Sequence, residues 1–159
     1  HNGIKEGDLL IISGGTAQGK YDLVADALQE MKAEFLFHSI ASKPGRNISC
    51  SLLQDHLVFN LPGHPTAGGI IFDLLITPVL RKMRGLKNFG HKWLNLRLST
   101  QVNRKRDIRS LRRGELVQDN LTFLAQPLGK HEKQATIPLL LDIKAGQGEK
   151  GDIVKAILL

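Results

Sequence analysis

The chain has 159 residues, 42% of them hydrophobic and 23% charged, which suits one folded domain or two small ones and excludes extended disorder. Aromatic residues make up only 5%, too few for a surface that stacks single-stranded nucleic acid. The single cysteine, Cys50, excludes an internal disulfide and favours a reducing, cytoplasmic setting. No apolar run reaches the roughly 20 residues of a membrane span, and we expect no membrane partner.

The positive charge is concentrated in one block. The formal net charge is +7, yet residues 81–113 carry 12 basic residues against a single acidic one, and both flanking regions are slightly acidic. Such a block attracts anions, whether nucleic acid, membrane phosphates or an anionic small molecule; the alternative is a solvated basic surface. Nucleic acid is the least favoured partner, because no helix-turn-helix or RNA-recognition motif is present.

The first third of the chain predicts a strand–helix–strand unit. Residues 8–12 are predicted as a strand whose positions after Asp8 are all apolar, as in a buried parallel strand, and a loop of small residues follows at 13–19. A helical pattern with Asp22 as its N-cap spans 22–32, and a second strand covers 33–40. This order indicates a βαβ unit.

A hairpin and a long helix are predicted next. The hairpin strands are 48–53 and 56–60, joined by a short turn. A tight loop at 61–65 then leads into apolar residues at helical spacing. Pro78 is expected to kink this helix and Gly85 to end it.

The second half of the chain changes character. The helical periodicity disappears, and short apolar segments alternate with glycine-containing turns, which predicts a small β-barrel or sandwich. The predicted domains are therefore 1–88 and 89–159. The predicted strand segments are Trp93–Leu98, Leu116–Ala125, Thr136–Leu141 and Ile153–Leu158.

Three loops, 13–22, 43–47 and 61–67, should meet at one edge of the first domain, because open α/β sheets bind ligands at the carboxyl ends of their strands. Glycine amides with two cations suit a phosphate or another oxyanion, and a neighbouring carboxylate suits Mg²⁺. Alternatively, each glycine only permits a turn and the carboxylate only caps its helix. The side chains concerned are Ser13, Thr16, Asp22, Lys43 and Arg46.

These loops resemble those of a known family. Residues 13–22 (Ser-Gly-Gly-Thr-Ala-Gln-Gly-Lys-Tyr-Asp) resemble the Ser-Gly-Gly-Val-Ser-x-Gly-x-x-Asp loop of the molybdopterin molybdenumtransferases, the family of MoeA and the gephyrin E domain. Residues 43–47 (Lys-Pro-Gly-Arg-Asn) are similar to its Lys-Pro-Gly-Lys-Pro. Residues 60–67 (Asn-Leu-Pro-Gly-His-Pro-Thr-Ala) are similar to its Gly-Leu-Pro-Gly-Asn-Pro-Val-Ser, and residues 150–159 to the end of its C-terminal barrel.

The resemblance implies a fold and a reaction. The fold would be the C-terminal part of a molybdopterin-binding α/β domain, a mostly parallel sheet with flanking helices, followed by a small all-β barrel domain. The reaction would be the insertion of molybdate into adenylylated molybdopterin, assisted by Mg²⁺, with release of AMP. Proteins of this family act as homodimers and draw further carboxylates from a region that this chain does not match. We therefore expect this chain alone to be inactive.

The resemblance also implies the site residues. Asp22, Lys43 and Arg46 match the catalytic positions, and Asp22 is the implied metal or molybdate ligand. In the basic block, Arg109 and Arg112 are both candidates for an arginine presented to the partner subunit's site, with a solvated hairpin as the alternative. The implied contacts to the pterin and its phosphate in the loops are Ser13, Gly14, Gly15, Thr16, Gly19, Pro44, Gly45, Pro62, Gly63, His64 and Pro65.

Several loop positions depart from the family pattern: Arg46 stands for lysine, Asn47 for proline and His64 for asparagine. Ala17 and Ala67 stand where the family has serine, so two hydroxyl donors are missing from the implied pocket. This favours an alternative hypothesis, a diverged pterin- or nucleotide-binding module that does not catalyse the reaction. A basic nucleic-acid-binding protein is the third hypothesis and the least favoured.

Overall fold

The fold is described from a computed structural model, which covers residues 7–15, 23–103, 107–129 and 135–159. The chain divides into two compact units, one ending at Phe72 and the other beginning at Asp73. The predicted domain division, 1–88 and 89–159, stays a prediction. No helix within the described ranges has the length and apolar character to cross a membrane.

The first unit is built on a four-stranded sheet in the order β1-β4-β3-β2. β1 and β4 pair in parallel, with Ser13 opposite Leu61, whereas β3 is antiparallel to both of its neighbours. The elements of this unit are β1 (Leu9–Ser13), α1 (Leu23–Glu30), β2 (Glu34–Phe37), β3 (Ser49–Leu53), β4 (His56–Leu61) and α2 (Pro65–Ile71).

The predicted α/β class is confirmed, but the sheet is mixed rather than mostly parallel. The difference comes from the hairpin of β3 and β4, which places an antiparallel strand in the middle of the sheet. Its two turn residues, Gln54 and Asp55, both have positive φ, 50° and 66°. Two consecutive residues of this kind form the turn whose twist matches a two-residue hairpin.

α1 covers one face of this sheet. Its Leu28 is buried against Leu53 and Val58 of the hairpin. Strand residues at alternate positions share a face, so Asn60 lies on the same side of the sheet as Val58. Ile12 lies on this side as well, because it pairs with Asn60 across β1 and β4. The apolar face of α1 therefore packs on the same face of the sheet that carries Asn60.

The long predicted helix is present in three consecutive parts, α2, a π-helical segment (Phe72–Ile76) and α3 (Thr77–Met83). The irregularity lies just before Pro78, which has no amide proton to donate to the carbonyl of Leu74, four residues earlier. In the second unit the imidazole Nε2 of His91 lies 2.9 Å from that carbonyl oxygen and donates to it. The predicted kink thus takes the form of a π-helical segment, and His91 supplies the hydrogen-bond donor for the Leu74 carbonyl that Pro78 cannot supply.

Gly85 ends α3 as predicted. Its φ is +77°, its amide donates to the carbonyl of Lys82, and the amide of Leu86 donates to that of Arg81. These two hydrogen bonds define a Schellman motif, in which a glycine in the left-handed conformation lets the last carbonyls of the helix find donors.

The second unit contains a closed five-stranded barrel in the order β5-β7-β6-β8-β9. β9 closes the barrel by pairing antiparallel to β5. The interior is filled by aliphatic side chains from every strand, such as Leu98, Ala125 and Leu141. The strands are β5 (Trp93–Leu98), β6 (Ser110–Asp119), β7 (Thr122–Pro127), β8 (Pro138–Ile143) and β9 (Ile153–Leu158).

The predicted barrel is confirmed, although one predicted strand is wrong. Residues 116–125 are not a single segment, because the chain reverses at Asn120 and Leu121 between β6 and β7. Asn120 has a φ of +52°, a conformation that asparagine tolerates better than most residues. β6 also begins earlier than predicted, at Ser110, so that Arg112 lies within a barrel strand.

Candidate functional site

The three candidate loops lie at one edge of the sheet. β1 ends at Ser13 and β4 at Leu61, directly opposite each other in a parallel pair. β2 runs in the same direction, because two antiparallel pairings separate it from β4. The chain between Phe37, where β2 ends, and Ser49, where β3 begins, therefore belongs to this edge as well. The edge formed by 13–15, 38–48 and 61–67 is called the three-loop edge below.

Two of these loops touch through glycine backbone. The amide of Gly14 donates to the carbonyl of Leu61 at 3.1 Å, which extends the parallel pairing by one residue. A Cβ added to Gly63 would lie 3.3 Å from the Cα of Gly14, closer than an ordinary contact. Gly63 thus needs a residue without a side chain, since the facing group is backbone and has little freedom to move, whereas Gly14 favours glycine because its φ is +96°.

The neighbouring positions are packed in a similar way. Gly15 has a φ of +70°, and a Cβ there would come within 2.8 Å of Val24 Cγ2, at the start of α1. Pro65 is the first helical residue of α2, and His64 precedes it as the N-cap. The His64 side chain makes no capping hydrogen bond and is exposed, so that its imidazole faces solvent at the loop.

The third loop is held in shape by its own hydrogen bonds. The amide of Ile40 donates to the carbonyl of Gly45 at 2.9 Å, and the Ser42 hydroxyl donates to the carbonyl of Pro44 at 2.7 Å. Gly45 has a φ of +146°, and a Cβ there would overlap Ile40 and lie 2.5 Å from Ser42 Oγ. The loop therefore depends on glycine at this position.

This fixed loop displays two cations. Lys43 and Arg46 stand on either side of Pro44 and Gly45, and both side chains are exposed. Neither has an ion pair with any residue in the described ranges. Two exposed cations on a loop whose backbone is held in place, at the same edge of the sheet as the glycine loops, can attract an anion.

Several predicted site residues lie outside the described residues. These are Thr16, Gly19 and Asp22, together with Ala17. The described parts of the three loops contain no carboxylate, and no group of three or more His, Cys, Asp or Glu side chains in the described ranges is close enough to hold a metal ion. What is described of the three-loop edge thus fits an anion and supplies no magnesium ligand.

Arg109 and Arg112, the two candidates from the basic block, are engaged within the barrel unit. Arg109 binds Asp142 through two parallel hydrogen bonds, Nε to Oδ1 at 2.7 Å and Nη2 to Oδ2 at 2.6 Å. The Asp142 side chain is 4% exposed and that of Arg109 is 48% exposed. This hydrogen bonding raises the pKa of Arg109 above its usual range. Arg112 bonds Ser110 Oγ at 3.3 Å and the carbonyl of Asn103 at 3.1 Å.

Two more arginines of the basic block have partners in the same unit. Arg113 forms an ion pair with Asp73, and Arg97 donates to the carbonyl of Gly151 at 3.1 Å. Part of the block thus stabilises the second unit itself. These contacts weaken the nucleic-acid hypothesis, which needs the cations free for phosphates.

Asn60 is a residue that the sequence analysis missed. It is 2% exposed in β4, and its Oδ1 is buried with no hydrogen-bond partner. A sequence signal existed, because this asparagine interrupts an apolar strand run at the position where the resembling family motif has glycine. An apolar run of this kind predicts a buried strand, but it does not show whether a buried side-chain amide has a hydrogen-bond partner.

Comparison with known proteins agrees with this architecture. Residues 1–82 match the family model described as "probable molybdopterin binding domain". The crystal structure of the molybdopterin biosynthesis MoeA protein from Pyrococcus horikoshii superposes with a TM-score of 0.75 and 26% identity, covering 99% of this chain and 38% of that one.

Two curated relatives have similar sequences. Gephyrin from Dictyostelium discoideum is 30% identical over 98% of this chain and 26% of its own length. A molybdopterin molybdenumtransferase from Staphylococcus epidermidis is 24% identical over 86% of this chain and 32% of its own length. The chain thus spans only about a third of the relatives that it matches.

Proposed function

This chain belongs to the molybdopterin-binding domain family, within the molybdenum cofactor biosynthesis proteins that include MoeA and gephyrin, and we propose that its three-loop edge binds the anionic end of a molybdopterin ligand. The observation that carries this proposal is a pair of exposed cations, Lys43 and Arg46, which have no ion pair within the described ranges and lie on a loop held by internal hydrogen bonds. They lie at the same edge as the contact between Gly14 and Gly63.

Each part of the edge has a distinct task in this proposal. The glycine loops let a ligand approach the backbone closely, since no Cβ stands in the way. Lys43 neutralises one anionic oxygen as a compact charge, and Arg46 presents a planar fork that suits two oxygens of one phosphate or molybdate group. Ser13 and His64 are exposed at the same edge of the sheet.

The reaction that we propose is the insertion of molybdate into adenylylated molybdopterin with release of AMP. Molybdate and the adenylylated pterin are the substrates, and Lys43 and Arg46 hold their anionic oxygens together. Because the chain spans 26% and 32% of two named curated relatives, the complete activity needs more protein than this chain. We propose that the protein works as a homodimer in the cytoplasm. In this dimer Arg109 or Arg112 would face the partner subunit's site.

Magnesium enters the proposal only through Asp22, which matches the acidic position of the family motif. The described part of the three-loop edge contains no carboxylate, so we assign no step to the metal. Lys43 and Arg46 alone can compensate the charge of the bound oxyanion.

The alternative is a module that binds the pterin without turnover. Ala67 stands in α2 where the family motif has serine, and the described parts of the three loops contain no carboxylate. Binding would then survive through the glycine backbone and the two cations, while the chemical step would be lost.

Release of AMP tests the proposal. The complete product of the reading frame that encodes this chain is incubated with molybdate, Mg²⁺ and adenylylated molybdopterin, and AMP is measured. We expect AMP release in the wild type and a loss of about tenfold or more in Lys43→Ala, which removes a charge-assisted contact. Lys87→Ala, an exposed lysine in the second unit, is the matched control and should behave as wild type.

The outcomes separate the two functions. No AMP release, with pterin binding retained, would support the non-catalytic module. Neither release nor binding would overturn the proposed function altogether.

A further inference from the structure

The side-chain oxygen of Asn60, Oδ1, is buried and has no hydrogen-bond partner among the described residues. The residue is 2% exposed, and its Oδ1 is one of three buried side-chain atoms in the described ranges with no hydrogen bond. Most buried polar groups in folded proteins are hydrogen-bonded, so such an exception requires an explanation.

The position of Asn60 connects it to the three-loop edge. It is the second-last residue of β4, opposite Ile12 of β1 and Ser49 of β3. The next residue, Leu61, accepts the hydrogen bond from the Gly14 amide. The carboxamide therefore lies one residue from the backbone that unites the two glycine loops.

No described residue donates a hydrogen bond to the side-chain oxygen of Asn60. On the same face of the sheet, Asn60 has Ile12 of β1 and Ser49 of β3 as cross-strand neighbours, and the Ser49 hydroxyl does not donate to Oδ1. Val58 precedes Asn60 by two residues in β4. A polar group in such surroundings lowers stability unless something bonds to it. Residues that lower stability without a structural role are typical of binding and catalytic sites.

We propose that Asn60 is a specificity-determining residue, whose carboxamide oxygen accepts a hydrogen bond from an N–H group of a phosphorylated heterocycle bound at the three-loop edge. This inference rests on the proposed function, in which Lys43 and Arg46 hold the anionic part of the ligand. Pterin and adenine rings both carry N–H donors, and inorganic phosphate has no ring for Asn60 to recognise. The ligand class is thus a phosphorylated N-heterocycle, and the experiment below distinguishes a pterin from an adenine nucleotide.

The test combines a stability measurement with three titrations. Asn60→Leu replaces the amide with an apolar group of similar size, and thermal unfolding is recorded for the free 159-residue chain. Binding of molybdopterin, AMP and inorganic phosphate is then measured by calorimetry. We expect the melting temperature to rise or stay equal, because an unpaired polar group is removed. We expect affinity for molybdopterin, for AMP or for both to fall by about tenfold, the effect of one lost hydrogen bond, with phosphate binding unchanged.

Ser51→Ala is the matched control. The Ser51 hydroxyl is also buried without a partner in β3, but Ser51 pairs with Val58, two residues further from the loop edge than Asn60. This variant should leave all three titrations unchanged. Asn60→Val, which suits a strand, repeats the test if leucine prevents folding.

Each result decides the question. Lower heterocycle affinity with retained stability supports the inference, and the affected ligand identifies the ring. Unchanged affinity in both Asn60 variants, or a large loss of stability, would overturn it, since a large loss means that the amide has a structural role. If the wild type binds neither heterocycle, the proposed function itself fails.

Discussion

Arg109 illustrates how one residue type can serve two purposes. The sequence places it in a basic block, where it is a candidate ligand contact, and the structure shows it holding the buried carboxylate of Asp142 with two hydrogen bonds. A carboxylate that is 4% exposed needs such a partner, because removing it would leave a charge in surroundings that cannot solvate it.

Removal of this partner should therefore lower stability. Arg109→Ala is expected to reduce the free energy of unfolding by about 2 kcal/mol, less than for a fully buried pair because Arg109 is half exposed. Urea denaturation measures the change. Arg109→Ala combined with Asp142→Leu should recover most of the loss, since no unpaired charge remains. A single variant as stable as wild type would contradict this role.

Cys50 gives a prediction of pH dependence. The thiol is 2% exposed in β3, and burial raises its pKa to about 11. Below pH 8.5 the thiol is neutral in both the folded and the unfolded protein, so its ionisation does not lower the free energy of unfolding there. Above that pH the unfolded chain ionises first, and stability should fall by up to about 3 kcal/mol towards pH 11.

Two measurements check the Cys50 prediction. The native protein should not react with a thiol reagent at pH 8, and reaction should follow unfolding. Denaturation curves of Cys50→Ala should lack the component of the alkaline decline that is due to this thiol. Rapid labelling of the native protein at pH 8 would show that the thiol is not buried as described.

At the residue scale, sequence patterns identify side chains by type and spacing but not by partner. Lys43 and Arg46 can be predicted as exposed loop cations because they flank Pro44 and Gly45, which form a turn. The ion pair of Arg109 with Asp142 cannot be predicted in this way, since 33 residues separate the two in the chain. The unpartnered amide of Asn60 is likewise visible only when every neighbouring group is known.

At the scale of elements, local chemistry determines most of what is predictable. The hairpin of β3 and β4 and the end of α3 at Gly85 both follow from residues within a few positions of each other. The turn between β6 and β7 was missed because Asn120 and Leu121 interrupt an apolar segment without glycine or proline. Pairing of β5 with β9 joins segments about 60 residues apart, and no local pattern indicates it.

The π segment offers a test of how one element adapts to proline. His91→Ala removes the donor to the Leu74 carbonyl and should cost about 1 kcal/mol of unfolding free energy. In a Pro78→Ala background the new amide can donate to the same carbonyl, so the same change should cost less. Equal costs in both backgrounds would mean that the two donors do not replace each other.

The contact between the two glycine loops gives a prediction at the same scale. Gly63→Ala places a Cβ against the Gly14 backbone and should separate the loops, with a loss of about 1 kcal/mol in stability and weaker ligand binding. Gly90→Ala is the matched control, because a Cβ there meets nothing within 4 Å. Thermal unfolding and ligand titration should distinguish the two variants. Identical behaviour would show that the contact between Gly14 and Gly63 contributes neither to stability nor to ligand binding.

At the scale of the whole molecule, the charge distribution acquires a clearer meaning. The net charge of +7 arises from residues 81–113, yet the two unpaired loop cations of the site lie in the slightly acidic first half. Several arginines of the basic block bind carboxylates or carbonyls of the second unit itself. Total charge therefore indicates an affinity for anions in general, whereas the proposed site depends on two particular cations, Lys43 and Arg46.

Calorimetric titration of the 159-residue chain with molybdopterin tests the central claim most directly. The variant Lys43→Ala/Arg46→Ala is compared with Lys87→Ala/Lys92→Ala, which removes the same charge from exposed positions of the second unit. We expect the loop variant to lose at least about tenfold in affinity and the second variant to bind as wild type does. Equal losses in both variants, or no loss in the first, would contradict a specific anion site at the three-loop edge.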